Sequence, residues 1–318
     1  MKVLSLFDGM SCGRIALERA CIPVEKYYAS ELDKYAIQVA QANWPENVQL
    51  GDVTKWREWD IDWAGIDLLI GGSPCQGFSF AGKQLAFDDP RSKLFFVYVD
   101  ILNHIKALNP QVKFMLENVK MKKEHLDVIT SCVGVEPVFI DSALVSAQRR
   151  QRWYWANWKI TAPKDAGAKL KDILETGITD KEKAYAITAR YYKAGNFERY
   201  ATKSSDQLIF ELFRLSETCI QKFKRYGVKF LTHSTEVAKP LTASDYQKLG
   251  KYGNYLKSLD CETQVRKLTP TECERLQTVP DTYTAHVSNT QRYKMLGNGW
   301  TVDVIAHIFR QMPCLNTK

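Results

Sequence analysis

Short apolar runs that end at glycine, proline or acidic residues recur along the first 160 positions of the chain. The runs at 3–7 and 24–30 predict two strands, and the pattern between them predicts a helix that reaches about Ala20. Further runs at 66–70 and 112–116 are almost uninterrupted, which is typical of parallel strands buried on both faces. The pattern therefore predicts an α/β fold built on a mostly parallel, doubly wound sheet.

Helical spacing is found in three later stretches. Apolar residues from 94 to 108 predict a helix that ends before Pro110. Thr269-Pro270-Thr271-Glu272 is a capping box with proline at the first helical position, so a second helix begins there. The last predicted helix, over 301–309, follows Gly297-Asn298-Gly299, and we expect this glycine-flanked asparagine to return the chain to a cofactor pocket.

The composition is that of an ordinary globular protein, with 45% hydrophobic and 25% charged residues among 318. No apolar run approaches the roughly 20 residues needed to cross a bilayer, and Asp8 interrupts the first run, so we expect a cytoplasmic protein. The eight cysteines form no C-x-x-C pair and the five histidines form no ligand cluster, so no metal is expected.

The net charge of +8 is concentrated in one segment. Residues 161–267 hold 20 Lys and Arg against 13 Asp and Glu, a net of +7, whereas the rest holds 24 against 23, a net of +1. Basic and aromatic residues interleave in Arg190-Tyr191-Tyr192-Lys193, as expected of a surface that contacts a nucleic-acid backbone and stacks on bases. A solvated basic face is the alternative.

The ends of the first strands carry candidate cofactor ligands. Gly9 and Gly13 stand four apart and the G-x-G-x-x-G fingerprint is absent, which favours a small adenosine cofactor without phosphates. Glu31 ends the second strand, where two acceptor oxygens suit the ribose hydroxyls, and Asp52 is a candidate for the adenine amino group. A solvated glutamate and a turn aspartate are the alternatives.

A second group of reactive side chains follows the two central strands. Cys75 lies in a glycine-rich loop at the carboxyl end of one, where open α/β sheets place their chemistry; a buried structural thiol is the alternative. Glu117 ends the next, where a desolvated carboxyl suits acid catalysis unless solvent caps it. Gln148, Arg150 and Arg152 alternate along an extended segment, so their side chains would lie on one face. There they could bind an anion, bind the edge of a base or lower the pKa of a thiol; a solvated basic edge is the alternative.

Six motifs, in this order, resemble those of the C5-cytosine DNA methyltransferases, in the style of small phage or prophage members. They are Leu6-Phe7-Asp8-Gly9, Gly72-Ser73-Pro74-Cys75-Gln76, Glu117-Asn118-Val119, Gln148-x-Arg150-x-Arg152, residues 267–277 and Gly297-Asn298-Gly299. The resemblance implies a Rossmann-like, S-adenosylmethionine-dependent methyltransferase domain over 1–160 and 267–318, interrupted by a target-recognition domain over 161–266. Ser5 and the Met10-Ser11-Cys12 run depart from the family's usual pattern, so contacts to the methionine amino group are not specified.

The resemblance also implies roles for single residues. Cys75 would attack C6 of a cytosine flipped out of double-stranded DNA, with Glu117 at N3 and with Arg150 and Arg152 on the O2 side. The residues implied around S-adenosylmethionine are Phe7, Gly9, Met10, Ser11, Cys12, Glu31, Asp52, Val53, Pro74, Leu94, Asn298 and Trp300. Those implied at the DNA are Gln76, Ser79, Gln148, Arg190, Tyr192 and Lys193.

Two other functions fit the same motifs: an RNA cytosine-5 methyltransferase, and a DNA-binding homologue that has lost activity. The long recognition segment favours DNA over RNA, and the presence of Cys75, Glu117 and both arginines favours an enzyme. We expect a monomer. The recognition sequence, and whether a cognate restriction endonuclease accompanies the protein, do not follow from the chain.

Overall fold

The computed structural model describes residues 1–73, 93–179, 181–195, 207–212 and 263–313. Its strands are β1 (Lys2–Leu6), β2 (Lys26–Ser30), β3 (Val48–Gln49), β4 (Leu68–Gly71), β5 (Lys113–Val119), β6 (Val138–Asp141), β7 (Gln148–Arg149), β8 (Gln151–Ala156), β9 (Ala184–Tyr185), β10 (Leu208–Leu212) and β11 (Thr263–Lys267). Its α-helices are α1 (Cys12–Arg19), α2 (Lys34–Asn43), α3 (Lys93–Leu108), α4 (Lys123–Val133), α5 (Pro270–Leu276), α6 (Asn289–Asn298) and α7 (Val302–Arg310).

Seven strands form one sheet in the order β3-β2-β1-β4-β5-β8-β6. β8 runs antiparallel to both β5 and β6, and the other neighbours are parallel. The chain winds outward in opposite directions from β1 and β4, so the carboxyl ends of these two strands face the crevice where open α/β sheets bind ligands. The predicted mostly parallel sheet is confirmed.

The two faces of the sheet carry separate hydrophobic clusters. Leu68 and Ile70 belong to the cluster that also contains residues of α1 and α7, and Leu69 belongs to the cluster that contains residues of α3 and α4. All three side chains are fully buried, which explains the uninterrupted apolar run. Each such burial stabilises the fold by roughly 1.5–3 kcal/mol, so this strand cannot accept a polar residue cheaply.

β5 is longer than its apolar run predicts. The strand continues to Val119, so Glu117 and Asn118 lie within it rather than after it. Antiparallel pairing with β8 accounts for the extension, because Glu117 lies opposite Tyr154 and Val119 opposite Arg152. Glutamate and asparagine are depleted in strands, and for that reason the sequence pattern ends the strand too early.

The predicted capping box is confirmed at the start of α5. The Thr269 N–H donates to Glu272 Oε2 at 2.8 Å, and the Glu272 N–H donates to Thr269 Oγ1 at 3.1 Å. These reciprocal bonds satisfy two backbone donors that the first helical turn leaves without partners. They fix where the chain enters the C-terminal helices.

The described part of the basic segment shares a hydrophobic cluster with the seven-stranded sheet. Leu170, Ala184 and Ile187 belong to the same hydrophobic cluster as α1 and α7, and β9 pairs with β7. The predicted domain boundaries at 160 and 267 stay a prediction. Among the described residues, no helix is long and apolar enough to cross a membrane.

Candidate active site

Glu117 and Arg152 meet across the β5–β8 pair. Arg152 Nε lies 2.8 Å from Glu117 Oε1, and both side chains are largely buried. The indole Nε1 of Trp300 donates to the other oxygen, Oε2, at 3.2 Å. The guanidinium and the indole therefore hold this carboxylate in a fixed orientation near the carboxyl end of β5, from which it could bind the edge of a planar ligand.

The start of the cysteine loop is bound to the same strand. Asn118 Nδ2 donates to Ser73 Oγ at 3.2 Å, and both side chains are buried. Ser73 follows β4, whose Gly71 pairs with Leu116 of β5. Pro74, Cys75, Gln76 and Ser79 lie outside the described residues, and their predicted roles stay predictions.

Arg150 has different surroundings from Arg152, although the alternating pattern predicts that they share a face. Its buried guanidinium donates to the carbonyl oxygens of Ile187 at 3.1 Å, Gly297 at 3.2 Å and Gly299 at 2.9 Å. Arg150 lies between β7, which pairs with β9 in a separate two-stranded sheet, and β8, which belongs to the seven-stranded sheet. Arg150 therefore links the basic segment to the C-terminal glycines, and its catalytic role stays a prediction.

Gln148 is completely buried. Its Nε2 donates to the carbonyl oxygen of Leu276 at 2.7 Å and to Gln277 Oε1 at 2.9 Å, while its Oε1 accepts from the Ile187 N–H at 3.4 Å. The predicted contact with DNA would require these bonds to open. In the structure described here, Gln148 joins the basic segment to the turn that follows α5.

Glu31 fixes the first loop of the crevice. Its Oε2 accepts from the Gly9 N–H at 2.8 Å, and its Oε1 accepts from the N–H groups of Leu32 at 2.7 Å and Asp33 at 2.8 Å. Phe7 and Gly9 take positive φ values of 57° and 60°, which turn the chain sharply after β1. The structure thus brings together Phe7, Gly9 and Glu31, three of the residues predicted to bind the cofactor.

Asp8 lies in the same loop with its carboxyl buried. Ser11 Oγ donates to Oδ2 at 2.5 Å and Tyr27 Oη donates to Oδ1 at 2.7 Å. Burial raises the pKa of Asp8 to about 6, and the hydrogen bonds from Ser11, Ser5 and Tyr27 oppose that rise. The loop is therefore built around an acid that titrates near neutrality.

Asp52 and Val53 follow β3 at the next strand end. The Asp52 carboxylate accepts from the Thr54 N–H at 2.9 Å and from Thr54 Oγ1 at 2.8 Å, and these bonds lower the pKa of Asp52. Val53 is buried and begins a 3-10 turn, Val53–Glu58. The observed contacts of Asp52 are those of an aspartate that caps a turn, which is the alternative given by the sequence. Its predicted contact with adenine stays a prediction.

The C-terminal glycines return to the first loop, as predicted. A Cβ on Gly299 would lie 3.1 Å from Met10 Cε and 3.3 Å from Cys12 Sγ. Met10, Ser11 and Cys12 are all buried, and burial raises the pKa of the Cys12 thiol to about 12. Asn298, which precedes this contact, is exposed.

The family model for C-5 cytosine-specific DNA methylases matches residues 1–131 and 140–314. The chain belongs to this family. It is therefore a DNA (cytosine-5-)-methyltransferase, and the motif-based recognition is confirmed.

Relatives of this methyltransferase match along its whole length. The type II methyltransferase M1.ScrFI of Lactococcus lactis subsp. cremoris is 30% identical over 333 residues, which cover 98% of this chain and 77% of that protein. The type II methyltransferase M.HhaI of Haemophilus parahaemolyticus is 29% identical over 335 residues, with coverage of 97% and 93%. The crystal structure of a Spodoptera frugiperda DNMT2 triple mutant has a TM-score of 0.63 at 19% identity, covers 97% of this chain and 98% of that one, and shows the same fold.

The remaining predicted ligands of the methyltransferase that the structure describes are Leu94, Arg190, Tyr192 and Lys193. Leu94 is half-buried at the start of α3, where it packs, as Phe7 does, against the cluster of α3 and α4. Arg190 and Lys193 are exposed beside a short 3-10 turn, Tyr191–Lys193, and Lys193 Nζ lies 5.6 Å from the centre of the Tyr192 ring. Their exposure is compatible with contact to a polyanion.

Two features of the methyltransferase site are missing from the sequence-based prediction. Leu32, directly after Glu31, is 69% exposed, and an exposed leucine at the rim of a ligand crevice is a candidate apolar contact. The sequence signal that could have indicated this contact is a large apolar residue, Leu32, directly after the acid that follows β2. The contact between Trp300 and Glu117 joins residues 183 positions apart, and no local pattern predicts it.

No group of three or more His, Cys, Asp or Glu residues within the described ranges could hold a metal ion. The described thiols are spread out: Cys12 and Cys273 are buried, Cys132 is half-buried and Cys21 is exposed. Among the described residues, the candidate functional side chains Glu31 and Glu117 lie at or near the carboxyl ends of β2 and β5.

Proposed function

We propose that this methyltransferase modifies C5 of a cytosine in double-stranded DNA, with Cys75 as nucleophile and S-adenosylmethionine as methyl donor. The observation that carries the proposal is the Glu117–Arg152 ion pair, on the strand that also binds Ser73. Ser73 is two residues before Cys75. In a member of this family, that arrangement supports a thiol, an acid and a guanidinium acting on one base.

The chemistry requires these groups. Cytosine C5 is a poor nucleophile, so the Cys75 thiolate first adds to C6 and makes C5 electron-rich. Glu117 holds a proton at N3, and Arg152 binds the O2 side, so both offset the charge that the addition pushes into the ring. After C5 has received its methyl group, loss of the C5 proton restores the double bond and expels the Cys75 thiolate.

The residues present fit an adenosine cofactor. Glu31 Oε1 already accepts two N–H groups and Oε2 accepts one, so a lone pair on Oε2 remains for a ribose hydroxyl. Phe7 would face the sulfonium, a contact of about 1 kcal/mol, and Asp52, Val53, Asn298 and Trp300 would complete the pocket. When bound, S-adenosylmethionine supplies the electrophilic methyl group.

DNA binding follows from the position of the attacked atom. C6 must be approached from the face of the ring, so the cytosine has to leave the base stack. Gln76 and Ser79 are proposed to contact DNA beside the flipped base, and the exposed Arg190 and Lys193 to contact its backbone. The segment 161–266 is proposed as the target-recognition domain, in a monomer whose relatives include type II methyltransferases.

A methyl-transfer assay with paired cysteine variants tests the proposal. Cys75→Ser should abolish incorporation of labelled methyl groups into duplex DNA while DNA binding survives, because the hydroxyl is a far weaker nucleophile. Cys21→Ser, which removes an exposed thiol, should retain wild-type activity. Full activity in Cys75→Ser would refute the mechanism, and label that entered only RNA would refute the choice of DNA.

DNA that contains 5-fluorocytosine supplies a second readout. Fluorine cannot leave as the C5 proton does, so the bond between Cys75 and C6 should persist and give a covalent protein–DNA adduct resistant to denaturant. The adduct should require Cys75 and be unaffected by Cys21→Ser. Its absence under turnover conditions would count against nucleophilic attack by the protein.

A further inference from the structure

The carboxylate of Glu117 is held from two sides. Arg152 Nε lies 2.8 Å from Oε1, and Trp300 Nε1 donates to Oε2 at 3.2 Å. The ion pair with Arg152 and the hydrogen bond from Trp300 restrain the two oxygens from different sides. Each carboxylate oxygen offers about two lone-pair sites, so acceptor capacity remains for a base. The carboxylate is oriented by its surroundings before any ligand arrives.

A glycine makes room for this contact. A Cβ added to Gly72 would lie 2.9 Å from Trp300 Nε1, closer than Cβ atoms in proteins approach other atoms, and 3.0 Å from Glu117 Oε2, which is also tighter than most Cβ contacts. Any side chain at this position would therefore push the indole and the carboxylate apart. Gly72 follows β4 directly, so the end of the central strand contributes the space in which Trp300 and Glu117 meet.

The indole is itself fixed in place. The Cζ3 atom of Trp300 lies 3.5 Å from where a Cβ of Gly13 would be, so the ring packs over the beginning of α1. The backbone of Trp300 also lies beside the buried Cys12 thiol, where it opposes the rise that burial causes in the pKa of that thiol. A ring held at both its backbone and its far edge can define the direction of its N–H.

We propose that Trp300 is a positioning residue for Glu117, in addition to any contact it makes with the cofactor. The inference rests on the proposed function, in which Glu117 acts when Cys75 adds to C6. That addition precedes methyl transfer. Trp300 should therefore affect activation of the cytosine even when no S-adenosylmethionine is present, whereas a residue that serves only the cofactor should not.

Exchange of the C5 hydrogen separates these two roles. In the absence of cofactor, addition of the Cys75 thiolate to C6 lets C5 take a proton from water; loss of the original C5 hydrogen and expulsion of the thiolate then restore cytosine. Duplex DNA labelled with tritium at cytosine C5 reports this cycle as release of label into water. The measurement uses the full chain without S-adenosylmethionine.

Trp300→Phe removes the N–H but keeps an aromatic ring above Gly13. We expect tritium release to fall roughly ten- to a hundredfold, the span that corresponds to one hydrogen bond to a charged group. Gly72→Ala, which enters the same gap, should also slow release. The dissociation constant for S-adenosylmethionine, measured by calorimetry, should change less than the release rate in both variants.

Trp158→Phe is the matched control, because it deletes an indole N–H that donates to the Ile308 carbonyl at 3.1 Å away from Glu117. It should release tritium at the wild-type rate. Wild-type release by folded Trp300→Phe would overturn the inference and leave the proposed function standing. An absence of release by the wild-type protein would overturn the proposed function and this inference together.

Discussion

Replacement of Asp8 by asparagine should stabilise the protein increasingly as the pH rises from 5 to 7. The carboxyl is 9% exposed, and burial raises its pKa from 3.8 to about 6. An acid whose pKa is higher in the folded state favours folding fully below the unfolded value, and that contribution is lost as the pH rises through the folded value. Ionised Asp8 is therefore a destabilising charge at neutral pH.

The size of the effect follows from the two pKa values of Asp8. About two pKa units, at 1.36 kcal/mol each, correspond to a cost of about 3 kcal/mol once the group is fully ionised. Titration between these values gives a loss of roughly 2 kcal/mol by pH 5 and roughly 3 kcal/mol by pH 7. The stability difference between Asp8→Asn and wild type should thus widen by roughly 1 kcal/mol over this interval, whatever constant offset the changed hydrogen bonds to Ser11 and Tyr27 add.

Urea unfolding at pH 5, 6 and 7, followed by tryptophan fluorescence, measures this difference. Titration of all other groups cancels between the two proteins. Asp62→Asn is the control, because the hydrogen bond from Lys2 lowers the pKa of exposed Asp62 below 3.8, so this group is ionised in both states from pH 5 to 7 and its stability difference should stay constant. A difference for Asp8→Asn that stayed constant or narrowed as the pH rose would refute the reasoning.

Two further substitutions test how the basic segment is attached. Gly297→Ala would place a Cβ 2.1 Å from the backbone carbonyl carbon of Thr188, and we expect it to lower the free energy of unfolding by about 1–3 kcal/mol. Thr290→Ala, at an exposed position of the same helix, is the control and should leave that free energy unchanged. Arg150→Ala should lower that free energy by about 2–4 kcal/mol because it removes the buried donor to three carbonyl groups, whereas Arg152→Ala should chiefly lower kcat. Wild-type stability in Arg150→Ala, measured by urea unfolding, would contradict the linking role.

The parallel sheet and the boundaries of the four predicted helices followed from the sequence because their signals are local. Residues 68–70 are all apolar, and Thr269 with Glu272 forms a capping box; both patterns lie within a few positions of the structure they specify. Cys75 and Glu117 were singled out on similar grounds, since each follows such a run and belongs to a family motif, and their catalytic roles stay predictions. Glu117 and Arg152 meet because β5 and β8 pair, and neither periodicity nor the resemblance specified that pairing.

The partners of single polar side chains could not be predicted. Alternation treats Arg150 and Arg152 alike, but Arg150 precedes β8 whereas Arg152 lies within it, and the two guanidinium groups reach different partners. Trp300 reaches Glu117 only because a terminal helix folds back over the first one. Contacts of this kind depend on how elements that are distant in sequence pack together, and a local sequence pattern does not specify that packing.

The layer formed by α1 and α7 has a consequence for biosynthesis. Arg19 of α1 forms an ion pair with Asp303 of α7 at 2.7 Å. Arg310, which is 291 positions later in the chain, donates to the carbonyl oxygen of Arg19 at 2.9 Å. While a nascent chain is still on the ribosome, the part of α1 that packs against α7 stays uncovered until residues 302–310 have emerged. A product that terminated before residue 302 would therefore expose this surface to chaperones and proteases.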